Sequence, residues 1–138
     1  MKIVICGSMT SSREMLEIGN RLREVDHEVV LPDFTEEYAK LSSQGEMHEE
    51  SAKNKIEHDL IRGYYEEIKK SDAILICNFD KNEVKNYIGG NTFLEMGFAH
   101  VLRKKIFLLN PIPESSYHDE LVAMEPVVLA GDLEKLKD

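Results

Sequence analysis

Two segments of this 138-residue chain carry residue types suited to chemistry on a small anionic ligand. The first is GSMTSSR, Gly7 to Arg13. Gly7 permits close approach of the backbone. Ser8, Thr10, Ser11 and Ser12 offer hydroxyls, and the Arg13 guanidinium offers a planar fork matched to phosphate or carboxylate. An apolar run precedes the segment and an amphipathic one follows it. It is therefore expected to join a strand to a helix N-terminus, where unpaired N–H groups and the helix dipole favour an anion. The same residues also read as ordinary helix caps, with Ser11 and Glu14 as a capping box, and no Gly-rich phosphate fingerprint is present.

The second segment is YIGGNTFLEMGFAH, Tyr87 to His100. Gly89 and Gly90 allow a tight turn, Asn91 and Thr92 can cap a helix, and Glu95 is expected in its first turn. A carboxylate at the mouth of a cleft can serve as a nucleophile or as an acid–base group. The competing reading is structural, because Thr92-x-x-Glu95 is itself a capping box in which Glu95 would bond only backbone. Asn78 is suited to orienting a ribose hydroxyl, and Asp33 and Asp80 are candidate second acids. Asp72 opens its strand and is expected at the opposite end of the sheet. Tyr64, Tyr65 and Tyr87 can stack on a base, although Tyr64 also fits the core face of a helix.

The elements that must position these residues alternate. Apolar runs at 2–6, 28–31, 73–77, 105–109 and 127–129 read as strands, the third with no polar alternation, as in a sheet covered on both faces. Helical periodicity follows Ser11, with Met15, Ile18, Leu22 and Val25 on one face. It recurs at about 49–70, 92–102 and 116–124, and the last residues can form a short helix. Residues 78–90 read as a long loop, either a lid or plain surface. The alternation predicts an α/β chain with a doubly wound five-stranded parallel sheet in the flavodoxin-like order 2-1-3-4-5, a single domain over 1–138. Strands one and three are then central. The loops after Cys6 and Cys77 flank the point where the winding reverses, and ligands of such sheets bind there.

Composition narrows the partners. Twenty-six acidic residues against 17 basic ones give a net charge of −9, which argues against a nucleic-acid polymer or an anionic membrane surface. Residues 33–59 hold eight acidic residues and three lysines, a net of −5, which discourages a long polyanion while one phosphate is held locally. No apolar run approaches the roughly 20 residues of a membrane span. The start is too short and strand-like for a signal peptide, so a reduced cytoplasmic setting is expected. Cys6 and Cys77 are expected to pack as small hydrophobes. His27, His48, His58, His100 and His118 show no metal spacing, so neither metal nor cofactor is expected.

Four stretches together resemble the nucleoside 2-deoxyribosyltransferase superfamily, which includes the deoxynucleoside 5′-monophosphate N-glycosidases. They are the GS loop after the first strand, SDAILIC from Ser71, GGNTFLEMGFA from Gly89, and KKIFLLNP from Lys104. The resemblance covers most of the chain. It implies cleavage or transfer at the N-glycosidic bond of a nucleoside or its 5′-monophosphate, with hydrolysis favoured by the phosphate-friendly loop. It implies Glu95 as the nucleophile, and Ser8 and Arg13 as contacts to the sugar-phosphate. It also implies a homodimer or larger homo-oligomer. A similar GG-x-GT-x-x-E pattern occurs in phosphoribohydrolases that release cytokinin bases. Three positions depart from the superfamily's pattern: Gly89 stands where an aspartate is usual, Thr10 where an arginine is common, and the C-terminal EKLKD supplies no matching asparagine. A non-catalytic nucleotide-binding or sensing module is the alternative, and a flavin carrier is disfavoured by the lack of tryptophan and of an aromatic loop pair.

Overall fold

In the computed structural model, which describes residues 1–40 and 59–137, five short apolar runs form one parallel sheet. The strands are β1 (Lys2–Cys6), β2 (Glu28–Val30), β3 (Ala73–Ile76), β4 (Lys105–Leu108) and β5 (Val127–Val128). Their spatial order is β2-β1-β3-β4-β5, as the alternation predicts. β1 and β3 are central and in register, with Ile3 opposite Ala73 and Cys6 opposite Ile76. The helices are α1 (Ser12–Glu24), α2 (Thr35–Tyr38), α3 (Leu60–Lys69), α4 (Gly90–Val101) and α5 (His118–Ala123). The part of the long helix expected before residue 59, most of the acidic stretch, and His48 and His58 lie outside the described residues.

Two-residue alternation along the strands divides the core into two layers. Ile3, Ile5, Ala73, Leu75, Cys77 and Phe107 face α1, which contributes Met15, Ile18 and Leu22. Val4, Cys6, Ile74, Ile76 and Leu108 face the other way, toward Ile68 of α3, Met96 and Ala99 of α4, and Leu121 of α5. Cys6 and Cys77 thus end adjacent strands on opposite faces, and both are free thiols. No helix among the described residues is long and apolar enough to cross a membrane.

Two expected caps are replaced. Ser11 is the N-cap residue of α1 but makes no side-chain cap bond. A 3-10 turn, Met9–Ser11, precedes the helix, and Ser8 caps that turn by accepting from the Thr10 N–H. α4 begins at Gly90, two residues earlier than the periodicity suggests, with Gly89 as its N-cap. Thr92 is therefore inside the helix, and a Thr92–Glu95 capping box does not form. Glu95 falls in the second turn rather than the first.

Candidate active site

The C-terminal edge of β1 and β3 brings both chemically equipped segments together. Gly7 follows β1 and lies so close to β3 that a Cβ atom there would sit 3.1 Å from the Cys77 carbonyl oxygen and 3.0 Å from Met15 Sδ. Only glycine admits this approach without a shift of backbone. The chain then turns through Ser8 and Thr10, whose hydroxyl oxygens are 2.9 Å apart. The Ser12 hydroxyl is buried and donates to the Met9 carbonyl at 2.5 Å, so it serves the turn. Arg13 is exposed, and its Nε donates to the Ala39 carbonyl at 2.8 Å, which directs the side chain toward the end of α2.

Glu95 is 6 % exposed, an unusual burial for a carboxylate outside an ion pair or a site. Its carboxylate receives a hydrogen bond from the Cys6 thiol at the end of β1. Burial pushes the Cys6 thiol well above its ordinary 9.0, and the Glu95 charge and hydrogen bond push the same way. Cys6 thus stays a thiol that donates a hydrogen bond to Glu95 and is not a thiolate nucleophile. Tyr64, from α3, donates its hydroxyl to the Ile5 carbonyl. Burial raises its pKa well above 10.0, and the neighbouring Cys6, Glu95, Cys77 and Asp33 raise it further. The phenol therefore stays protonated beside the glutamate. Thr92, one turn before Glu95, is also buried, while Gly90 and Asn91 are exposed at the start of α4.

Two of the expected ligand contacts, Asn78 and Asp80, have structural tasks. Asn78 is fully buried, and its two amide N–H groups donate to the carbonyls of Asn110 (2.9 Å) and Pro111 (3.1 Å). Its Oδ1 accepts from the Asn110 N–H at 2.9 Å, and Asn110 Nδ2 returns a bond to the Asn78 carbonyl at 3.0 Å. With both donors used, Asn78 fixes the loop after β4 to the end of β3. Asp80 is exposed and accepts from the Asn86 N–H at 2.9 Å, which closes a loop. Asp72 lies at the opposite end of the sheet, where it accepts the Lys2 N–H at 2.7 Å. Of the two candidate second acids, Asp33 lies within electrostatic reach of Tyr64, and Asp80 shapes the hairpin that follows β3.

That hairpin is the part of the site that sequence reading missed. Residues 78–90 are not a plain surface loop but contain a tight hairpin. Lys81 and Val84 exchange two backbone hydrogen bonds of 2.9 Å, and the Tyr87 N–H donates to the Phe79 carbonyl at 3.0 Å. The two residues between Lys81 and Val84 both have positive φ, 49° at Asn82 and 66° at Glu83, the pattern of mirror-image hairpin turns. The turn directs Lys81 back over the first loop. Its Nζ lies 3.1 Å from Ser8 Oγ and 5.0 Å from the centre of the Tyr87 ring. Tyr87 in turn fills the space beside Gly89, where a Cβ would sit 3.0 Å from its hydroxyl. A side chain at position 89 would therefore require the Tyr87 ring to shift. Phe93 stacks on Tyr117 at 4.4 Å between ring centres, and Tyr117 donates its hydroxyl to the Ile88 carbonyl.

No family model matches the chain, and no curated protein matches it. Among solved structures it is similar to Clostridium botulinum CMP N-glycosidase, BcmB. The sequences are 17 % identical, the TM-score is 0.50, and the match covers 93 % of this chain and 85 % of that one. The likeness is one of fold, and it agrees with the resemblance drawn from the four sequence stretches.

Proposed function

We propose that the chain is an N-glycosidase acting on a nucleoside 5′-monophosphate, with Glu95 as nucleophile and water as acceptor, and that residues 1–138 form one domain of that kind. The observation that carries this is the buried Glu95 carboxylate at the reversal point of the sheet, which is not a helix cap and has the Cys6 thiol as a hydrogen-bond donor. The fold-level similarity to a CMP N-glycosidase supports the same bond type.

In this reading the first loop holds the phosphate, through Ser8, Thr10 and the N–H groups around Gly7. The sugar then lies over the β1–β3 edge with its anomeric carbon facing Glu95. Glu95 attacks that carbon as the C–N bond breaks and the electron pair leaves with the base. The transition state has oxocarbenium character, and the carboxylate stabilises it before forming the ester. The base takes its proton from water or from an acid such as Asp33. Water then cleaves the glycosyl ester, releasing the sugar phosphate and restoring the carboxylate. The Cys6 thiol and the Tyr64 hydroxyl, both held neutral, add no competing charge, and the thiol's hydrogen bond keeps the carboxylate oriented. In the same reading Gly90 and Asn91, exposed at the start of α4, and the buried Thr92 beside them are assigned to the sugar or base.

The test is a panel of nucleoside and deoxynucleoside 5′-monophosphates and their nucleosides, scored for free base. Base release that also requires a second nucleobase as acceptor makes the enzyme a transferase. Ligand-induced stabilisation without any base release supports a binding module in its place. We further propose a homo-oligomer: Leu94 and Val101, seven residues apart on α4, are 48 % and 79 % exposed, and Ile61 of α3 is exposed as well. Light scattering in solution reads its size directly.

A further inference from the structure

We propose that Lys81 is the side chain that recognises the phosphate in this site, and that it sets a preference for 5′-monophosphates over nucleosides. This rests on the reading of the site as a nucleotide site and adds the residue that discriminates.

Lys81 is half-buried, and its ammonium lies 3.1 Å from Ser8 Oγ and 5.0 Å from the Tyr87 ring centre. No carboxylate among the described residues lies within ion-pair distance of it. In a chain of net charge −9, this cation is directed to hydroxyls and an aromatic face rather than to an acid. An ammonium carries three N–H donors, and Ser8 accepts one. The Ser8 hydroxyl lies in turn 2.9 Å from that of Thr10. An anion seated on these two hydroxyls meets a positive charge that the fold has already brought into place.

The backbone under Lys81 is fixed. Its N–H and its C=O are both bonded to Val84, and the Asp80–Asn86 bond closes the loop around the hairpin. Part of the ordering entropy of binding is therefore met during folding. Arg13, the expected phosphate fork, has its Nε committed to the Ala39 carbonyl at the end of α2. Among the described residues, the cation aimed at this hydroxyl pair is Lys81, which comes from the hairpin rather than from α1.

Calorimetric titration of the full chain with CMP, dAMP, dCMP, dGMP and TMP, each beside its nucleoside, tests this. The wild type should bind at least one nucleotide more tightly than its nucleoside. Lys81→Met should weaken that nucleotide about 10- to 100-fold, the range of a charge-assisted hydrogen bond, and leave the nucleoside within twofold. Lys81→Arg should restore most of the preference, and Lys85→Met, at an exposed lysine of the same loop, should match the wild type. Lys81→Gln provides a second neutral variant if the methionine does not fold. The inference is overturned if the neutral variants bind the nucleotide like the wild type, if they lose nucleotide and nucleoside alike, or if the wild type binds no nucleotide. Base release measured on the same samples separates the two claims. The expected binding pattern with no base released leaves the role of Lys81 standing and refutes the glycosidase reading.

Discussion

The Cys6 thiol donates a hydrogen bond to the Glu95 carboxylate, linking the last residue of β1 to the second turn of α4. This contact ties the candidate nucleophile to the end of a buried central strand. Cys6→Ser preserves a donor and should keep base release within about tenfold of the wild type. Cys6→Ala removes the donor from a buried carboxylate and should lower kcat about 10- to 100-fold with little change in KM, from the lost charge-assisted bond. Steady-state kinetics on the two variants reads the difference.

Buried acids with raised pKa values lower stability at alkaline pH. Burial pushes Cys77 up to about 12 from 9.0, and Cys6 and Tyr64 are raised well above their ordinary values. Above pH 9 the unfolded chain loses these thiol protons while the folded chain keeps them, so stability must fall as pH rises. Each group contributes fully below its unfolded pKa, and its contribution declines by about 1.4 kcal/mol per pH unit until the folded pKa is reached. Urea unfolding between pH 8 and 11 should show this decline, and Cys77→Ala should make it shallower. An unchanged slope in that variant contradicts the assignment.

Two glycines of the site should respond oppositely to alanine. At Gly7 a new Cβ meets the Cys77 carbonyl oxygen at 3.1 Å, and backbone cannot yield cheaply, so Gly7→Ala should cost about 1–3 kcal/mol. At Gly90, in the first turn of α4, a new Cβ meets nothing within 4 Å. Gly90→Ala should be neutral or stabilising by up to about 1 kcal/mol. Chemical denaturation of both variants checks the contrast.

Asn78→Ala removes three hydrogen bonds that join the end of β3 to residues 110–111, and leaves the Asn110 N–H and its carbonyl without those partners. The expected loss is about 2–4 kcal/mol in urea unfolding. A variant that folds normally and loses only substrate affinity would instead make Asn78 a ligand contact.

The strand order was legible because each apolar run is short, is followed by an amphipathic segment, and so demands parallel crossovers. The two chemical segments were legible for the same reason, since they follow the two central strands. The start of α4 was not: the Gly89-Gly90 pair signals a turn, yet Gly90 is helical, and this moves Glu95 one turn inward and removes its capping role. The hairpin was hidden because its positive-φ positions are Asn82 and Glu83, with no glycine to announce them. Lys81 was hidden with it, because its contact with Ser8 spans 73 residues. The Cys6–Glu95 contact depends on how α4 is rotated over the sheet, and neither residue's spacing encodes that rotation.

The most direct measurement is single-turnover base release from the best nucleotide by wild type and by Glu95→Ala and Glu95→Gln, with folding confirmed by thermal melts. A nucleophile at Glu95 predicts a loss of about 10³-fold or more in both variants while nucleotide binding is retained. Base release by the variants at the wild-type rate contradicts the central role given to Glu95.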